Sequence, residues 1–299
     1  MLSQTHPVNI VMEWTITAPV LSEEKNYRFH PVTNSHHEAI IKYCMSKDDN
    51  GLIMYMQHML QSLCIDDSLI IKKIPVIDQL FLLIRLRSIC IGPRVDVIVE
   101  GESNVKHKVS LVEVQKSINE FYKQPIIVES KDDDIVIEIH YPCTWNSNTP
   151  RDYMKSISIS NNKITRDTIT DDQIQQILDE LPRDQSNLIY TAINTLNTSI
   201  QSMLVTKLPE PDADITLSYD QFAHIIRLIY SDSLNNYIEL MYVFVKIINM
   251  SLSDIKSLTP ADTQLYYQMF VKETNEREKA QNALNSGQNS RDSRTVPGN

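Results

Sequence analysis

The chain has 299 residues, and its 38 acidic against 28 basic side chains give a net charge of −10 at pH 7. An acidic surface repels phosphate backbones, and no basic patch is visible in the sequence, so we expect no nucleic-acid partner. The 5 glycines stand apart from one another, which excludes the clustered glycines of P-loop NTPases, Rossmann enzymes and protein kinases.

The cysteines and the apolar segments indicate a soluble protein of a reducing cytoplasm. The 4 cysteines form no C-x-x-C pair, so the sequence predicts free thiols and neither a zinc ribbon nor a thioredoxin-type site. Residues 1–11 lack the basic and apolar segments of a signal peptide. The most apolar stretch, residues 238–250, contains Glu239 and Lys246 and is too short to span a bilayer.

The amino-terminal part is predicted to be mainly helical. Residues 8–17 have the composition of a strand that ends before Pro19, and residues 35–73 carry two amphipathic helical patterns separated by a turn at Asn50-Gly51. Residues 77–91 are apolar on nearly every side, which predicts a central helix that ends at Gly92-Pro93.

The middle of the chain changes from a helical period to an alternating one. Residues 95–99 and 105–111 predict a hairpin, residues 124–130 and 134–141 predict two more strands, and residues 155–160 add a further one. Because short loops join these segments, we expect a small antiparallel sheet.

Beyond Thr170 the pattern is helical again. Helices are predicted over residues 171–181, for about 20 residues after Pro182, over 218–231 and 234–250, and from Thr259-Pro260 to about Ala283. We predict an α+β fold with amino-terminal helices plus a small antiparallel sheet, then a carboxy-terminal helical region. The predicted divisions are an α/β region at 1–168, a helical region at 169–284 and a disordered tail at 285–299.

No pattern in the sequence predicts a catalytic, cofactor or metal site. His36 and His37 diverge on a helix, and His37 and Cys44 lack a third ligand at a useful spacing, so cap or solvated histidines are expected. No nucleophile motif is present either.

Two arginines lie inside the apolar helix predicted over residues 77–91. A guanidinium of Arg85 or Arg87 must find hydrogen-bond partners there, and Asp78 lies two helical turns before Arg85. We favour an internal clamp onto backbone carbonyls or a nearby acid over a contact with a partner, and we expect Arg85 to be buried and paired.

The two helices predicted over residues 218–231 and 234–250 hold more aromatic residues than a small helical layer needs for its own core. The predicted partner-binding residues are Tyr219, Phe222, Tyr230, Tyr237 and Tyr242. Aromatic side chains supply large contact areas with few rotatable bonds, which favours them as interface anchors. The alternative is that they form the core of this region.

Residues 74–111 combine an aspartate, an apolar run, an arginine, a serine and a glycine directly before a hairpin. The matching positions are Asp78, Leu82, Arg85, Ser88 and Gly92. This pattern resembles the baseplate hub assembly proteins of T-even-like contractile-tailed bacteriophages. The helical stretch 30–73 and the carboxy-terminal segments 217–231, 234–250 and 251–272 are similar to the same family.

The resemblance implies a phage tail baseplate hub assembly protein, either a chaperone or a hub component, that acts by protein–protein contacts and is not an enzyme. It implies other baseplate hub or tail proteins as partners, no cofactor, and a place in the host cytoplasm during assembly and in the tail baseplate of the virion. Two alternatives stay open: an adaptor unrelated to tails, and an enzyme whose site assembles from His107, Glu138 and His140.

Overall fold

A computed structural model describes residues 14–98, 106–130, 135–145, 149–159, 162–166, 168–207, 214–216 and 222–292. The strands are β1 Ile16–Val20, β2 Lys25–Phe29, β3 Arg94–Ile98, β4 Lys106–Ser110, β5 Ile126–Ser130, β6 Ile135–Ile139, β7 Met154–Ile159, β8 Asn162–Thr165, β9 Val205–Lys207 and β10 Asp214–Thr216. The helices are α1 Asn34–Met45, α2 Asp49–Leu63, α3 Val76–Cys90, α4 Leu111–Phe121, α5 Pro150–Tyr153, α6 Asp171–Glu180, α7 Arg183–Met203, α8 Phe222–Ile229, α9 Leu234–Lys246, α10 Leu252–Ser257 and α11 Pro260–Asp292. The predicted α+β fold class is confirmed.

The strands form small antiparallel sheets. The largest has the order β5-β6-β7-β8, and three separate hairpins pair β1 with β2, β3 with β4 and β9 with β10. In the β3–β4 hairpin Val95 lies opposite Val109, and both are buried, as the alternating pattern predicts. Strand β2, the edge strand β8 and the β9–β10 hairpin are additions to the predicted elements.

Helix α3 is the central element, as its apolar sequence predicts. Almost all of its side chains are buried, and it packs against β1, α2, α4 and α11. The helix ends where Gly92 adopts a φ of 154°, a conformation that L side chains avoid. The N–H of Gly92 donates to the carbonyl of Arg87 at 3.0 Å, which closes the last turn.

Three local predictions differ from the structure. Gly51 lies in the first turn of α2 instead of a turn between helices, because Asp48 caps this helix by accepting from the Gly51 N–H at 2.9 Å. Strand β1 runs through Pro19, which is tolerated because, among the described residues, β1 pairs with β2 alone. Residues 8–13 of the predicted first strand lie outside the described residues. Leu111 begins helix α4 instead of ending a strand.

Helix α4 forms because its apolar residues meet a partner helix that is distant in sequence. Leu111, Val114 and Ile118 lie on one face and are buried, and this face packs mainly against α7. Their spacing is helical, but the alternating residues just before them favour a strand.

The core consists of two apolar clusters. The larger one runs from Ile16 on β1 to Tyr230 after α8. The smaller one comprises Ile41, Tyr237, Met241, Phe244 and Ile255. The boundary predicted between residues 168 and 169 lies inside the larger cluster, and a division into separately folding domains stays a prediction.

Helix α11 is longer than the sequence predicts. It starts with the Thr259 hydroxyl accepting from the Asp262 N–H at 3.1 Å and continues to Asp292. Residues 285–292 are therefore helical where we expected a disordered tail. The strong helix formers between Arg277 and Ala283 favour this continuation.

Candidate partner-binding surface

The predicted aromatic residues do not share one environment. Phe222 and Tyr230 are buried in the larger cluster, Tyr237 is buried in the smaller one, and Tyr242 is 61% exposed. Tyr219 lies outside the described residues. In this structure only Tyr242 of the four described residues offers its side chain to a partner.

The buried tyrosines serve the fold because their hydroxyl groups find acceptors inside it. The Tyr230 hydroxyl donates to the Leu83 carbonyl at 3.3 Å, and the Tyr237 hydroxyl donates to the Asn34 carbonyl at 3.3 Å. Phe222 lies on the inward face of α8 with Ile225 and its neighbours. These three side chains, Phe222, Tyr230 and Tyr237, are buried and have little free area to offer a partner, and their assignment as partner-binding residues stays a prediction.

Helix α9 has a second apolar face that points to solvent. Ile238 is 54% exposed and lies one helical turn before Tyr242, so the two side chains are neighbours on the surface. Tyr237, Met241 and Phe244 occupy the buried face, about a third of a turn around the helix from this pair. The helix therefore carries apolar side chains both on its buried face and at exposed positions, which a surface helix of an isolated monomer does not require.

Exposed apolar side chains continue onto the two helices that follow. They are Leu252 on α10 and Leu265, Tyr266, Met269 and Val271 on α11, with Ile247 directly after α9. Large exposed apolar side chains that cluster on a surface mark interaction sites. Together with Ile238 and Tyr242 we call these residues the α9–α11 surface.

A pocket of about 450 Å³ opens between α9 and α11. Its wall includes His37, Asp232, Glu239 and Tyr267. His37 Nε2 lies 3.0 Å from Asp232 Oδ2, and because a carboxylate only accepts, Nε2 is the donor. The buried Nδ1 of His37 has no hydrogen-bond partner among the described residues and, in the neutral ring, is an acceptor.

Arg87 joins this pocket to the central helix. Its Nε donates to the Ile229 carbonyl and its Nη1 to the Gly92 carbonyl, while Nη2 lies 3.6 Å from Asp232. Burial acts to raise the pKa of Asp232, but the hydrogen bond from His37 and the charge of Arg87 outweigh it and lower the pKa. Asp232 is therefore ionised, and it contacts two basic side chains, His37 and Arg87.

The predicted internal clamp is confirmed for Arg87 and wrong for Arg85. Arg85 is only partly buried, and its Nε has no hydrogen-bond partner among the described residues. Asp78 is not the hydrogen-bond partner of Arg85. The Asp78 carboxylate accepts from the Leu21 N–H at 2.8 Å and from the Tyr122 hydroxyl at 3.5 Å. Two residues along a helix point in nearly opposite directions, so the packing of α3 decides which arginine is buried.

The two adjacent histidines have separate structural roles. His36 accepts from the Thr33 N–H at 3.2 Å at the start of α1, which is the cap role expected for it. His37 is buried against Asp232. The pair could not be predicted from the sequence because 195 residues separate its members, and the only local signal was the position of His37 in a helix.

The residues of the enzyme alternative are divided between two sheets. His107 lies on β4, whereas Glu138 lies on β6 and His140 directly follows that strand. Glu138 is engaged by Lys155 at 2.8 Å and by the Ser156 hydroxyl at 3.1 Å. This arrangement does not form the shared pocket that the enzyme hypothesis requires.

His140 belongs to a buried polar network instead. Its Nε2 lies 3.3 Å from the Tyr122 hydroxyl. Burial, helped by the charges of Lys155 and Arg166, lowers the pKa of His140 to about 4, so the ring is neutral at pH 7. In the described part of the chain no group of three or more His, Cys, Asp and Glu residues is placed to hold a metal ion.

Comparison with known proteins identifies the family. A family model described as T4 bacteriophage base plate protein matches residues 12–227. This is most of the chain, and the protein belongs to that family, which overturns the alternative of an adaptor unrelated to tails. No curated protein and no solved structure matches the chain. Within the described residues, no helix combines the length and apolarity needed to cross a membrane.

Proposed function

We propose that this base plate protein assembles the hub of the baseplate, as a chaperone or as a hub component, and acts by protein–protein contacts without catalysis. Its partners are other hub or tail proteins, which it meets in the host cytoplasm during assembly and, as a component, in the virion. Membership of the family supports the baseplate setting. The observation that carries the mode of action is the α9–α11 surface.

The α9–α11 surface has the properties of a contact site. It consists of large apolar side chains that are exposed on or directly after α9, α10 and α11, and α9 and α10 also supply residues of the smaller cluster. Burial of apolar area is the main source of affinity in protein association, at about 25 cal/mol per Å² before its costs. A tyrosine such as Tyr242 adds a hydroxyl group that can be paired across an interface.

The pocket between α9 and α11 supplies the polar part of such an interface. His37 Nδ1 is a buried acceptor without a partner among the described residues, and Glu239 places a carboxylate on the same wall. A partner side chain with hydrogen-bond donors and positive charge would satisfy both. Pockets of this kind hold the anchor residues that dominate binding energy.

The test is a phage that carries the double substitution Ile238→Ser and Tyr242→Ser. The matched control is Leu188→Ser with Tyr190→Ser on α7, where the exposed fractions are 54% and 46%. Both purified proteins should unfold within about 0.5 kcal/mol of wild type, since exposed positions tolerate change. We expect the α9 variant to lower the yield of complete baseplates about tenfold or more and the control to leave it unchanged.

Three results would separate the parts of the proposal. Normal baseplates in the α9 variant would show that the α9–α11 surface is not the contact. Normal infectivity of a phage that lacks the gene would overturn the assembly function itself. Quantitative mass spectrometry of purified virions then distinguishes the two roles, since a hub component is present at a fixed ratio and a chaperone is absent.

A further inference from the structure

The pocket between α9 and α11 is walled by one face of each helix. The lining residues on these two helices include Asn236, Glu239, Leu240, Val243, Gln264 and Tyr267. Residues three, four and seven apart share one side of a helix, so each helix presents a single face to the pocket. Its volume of about 450 Å³ lies in the range of about 300–1,000 Å³ that is typical of ligand sites.

The lining of this pocket is apolar in one part and polar in another. Ile91, Leu240 and Val243 supply apolar side chains, whereas Asp232 and Glu239 supply carboxylates. No lysine or arginine is found among the described residues that line it. Such a lining fits an elongated side chain with an apolar stem and a positively charged head, as in lysine and arginine.

Asp232 is already paired, but through only one of its two oxygen atoms. Its Oδ2 lies 3.0 Å from His37 Nε2, and Arg87 Nη2 lies 3.6 Å from the same oxygen. In the described part of the chain its Oδ1 has no hydrogen-bond partner, and the side chain is 35% exposed. The charge of Arg87 balances the charge of Asp232, while Oδ1 stays available as an acceptor.

Glu239 provides a negative charge that no described side chain balances. Its side chain is exposed, and it forms no ion pair within the described residues. His37 adds a third acceptor to the same lining, since its side chain is only 7% exposed and its Nδ1 has no hydrogen-bond partner among the described residues. On the described residues, the pocket therefore combines three acceptor groups with one excess negative charge.

We propose that this pocket receives the side chain of an arginine from a partner protein, an inference that rests on the proposed function for the origin of that side chain. A guanidinium group has five N–H donors in a planar fork, so it reaches acceptors on different walls, whereas an ammonium group is a compact point charge. It is also more weakly hydrated and stacks on aromatic rings such as that of Tyr267. The methylene stem would lie along Leu240 and Val243.

The arginine site borders the α9–α11 surface. Glu239 directly follows Ile238 and lies three residues before Tyr242 on the same helix. One partner can therefore cover the apolar side chains and place an arginine in the pocket beside them. Arginine is among the residues that most often dominate binding energy at interfaces.

The experiment measures binding of an acetylated and amidated Gly-Arg-Gly peptide to the full chain by ligand-observed NMR at constant ionic strength. Two reference peptides carry lysine or citrulline, and citrulline has the shape of arginine without its charge. The test variant is Glu239→Gln, and the matched control is Glu276→Gln on α11, since both glutamates are exposed. Each change removes one negative charge, and both variants should keep the wild-type melting temperature.

We expect the arginine peptide to bind the wild type and the control about tenfold more tightly than it binds Glu239→Gln, and tenfold more tightly than either reference peptide binds. The arginine site is overturned if the citrulline or lysine peptide binds as tightly as the arginine peptide, if the two variants bind equally well, or if no peptide binds.

Phages that carry the same two substitutions test the origin of the side chain. A lower yield of complete baseplates with Glu239→Gln than with Glu276→Gln supports an arginine of an assembly partner. Equal yields, with peptide binding lost in Glu239→Gln, overturn that origin. Failure of the proposed function gives a different result, namely normal infectivity of a phage that lacks the gene.

Discussion

The two apolar clusters differ in how completely they are closed. In the larger cluster polar groups find partners inside: the Tyr141 hydroxyl lies 2.6 Å from Ser199 Oγ, which donates to the Phe121 carbonyl at 2.8 Å. The smaller cluster is covered on one side by helices whose outer faces are themselves apolar. A closed core serves stability, whereas an apolar outer face serves association.

The family match follows the same division. It ends at residue 227, and the larger cluster ends at Tyr230. The helices α9, α10 and α11, which carry the proposed contact surface, lie beyond the match.

The largest expected effect tests the junction between the two clusters. Arg87→Ala should lower the free energy of unfolding by about 3 kcal/mol, because it removes the guanidinium beside Asp232, which keeps only His37, and leaves two carbonyl groups unpaired. Asp232 is about one-third exposed, which keeps the loss at the lower end of the range for buried pairs. Urea denaturation of the purified proteins measures it.

Arg85→Ala is the matched control on the same helix. Because Arg85 is partly exposed and its Nε has no hydrogen-bond partner among the described residues, we expect a loss of about 1 kcal/mol or less. Equal losses in the two variants would contradict the assignment of the clamp to Arg87. A loss at Arg85 that exceeds the loss at Arg87 would restore the expectation drawn from the sequence.

A smaller effect tests how tightly the larger cluster is closed around its polar groups. Burial raises the pKa of Asp78 to about 6, so the folded protein holds a proton that the unfolded chain releases near pH 4. This stabilising contribution is lost as the pH rises toward 6. His140, with its pKa of about 4, has the opposite effect, because the unfolded chain binds the proton in the same interval.

The two opposed contributions can be separated by substitution. In Asp78→Asn the free energy of unfolding should rise from pH 4 to pH 6 more steeply than in wild type, by on the order of 2 kcal/mol. In His140→Gln it should rise less steeply than in wild type over that interval. Denaturation curves at pH 4, 5 and 6 give both slopes, and a slope unchanged by Asp78→Asn would show that this carboxyl group is not buried as described.

The last prediction is that removing metal ions has no effect on the melting temperature. The sequence predicts that folding needs no metal ion, because Cys44, Cys64, Cys90 and Cys143 and the histidines show no four-ligand pattern. Melting curves of the purified protein with and without a chelator should coincide. A drop of more than a few degrees on chelation would mean that a metal stabilises the fold.

Local patterns were sufficient to predict most helices and strands. The central helix α3, the β3–β4 hairpin and the start of α11 at Thr259 all depend on residues within a few positions of one another. The same information was insufficient for the site. An aromatic residue at helical spacing has the same pattern in a core as at an interface, so Tyr237 and Tyr242 were not distinguished until the position of α1 showed which face of α9 is covered.

By itself, the sequence determined the α+β class, the order of the main elements and the acidic net charge, because periodicity, capping and composition are properties of neighbouring residues or of simple sums. Only the tertiary structure decided that Arg87 is clamped instead of Arg85, and that His37 and Asp232 meet in one pocket. Both results depend on residues that lie far apart in the sequence, and patterns of neighbouring residues carry no record of which distant residues the fold brings together.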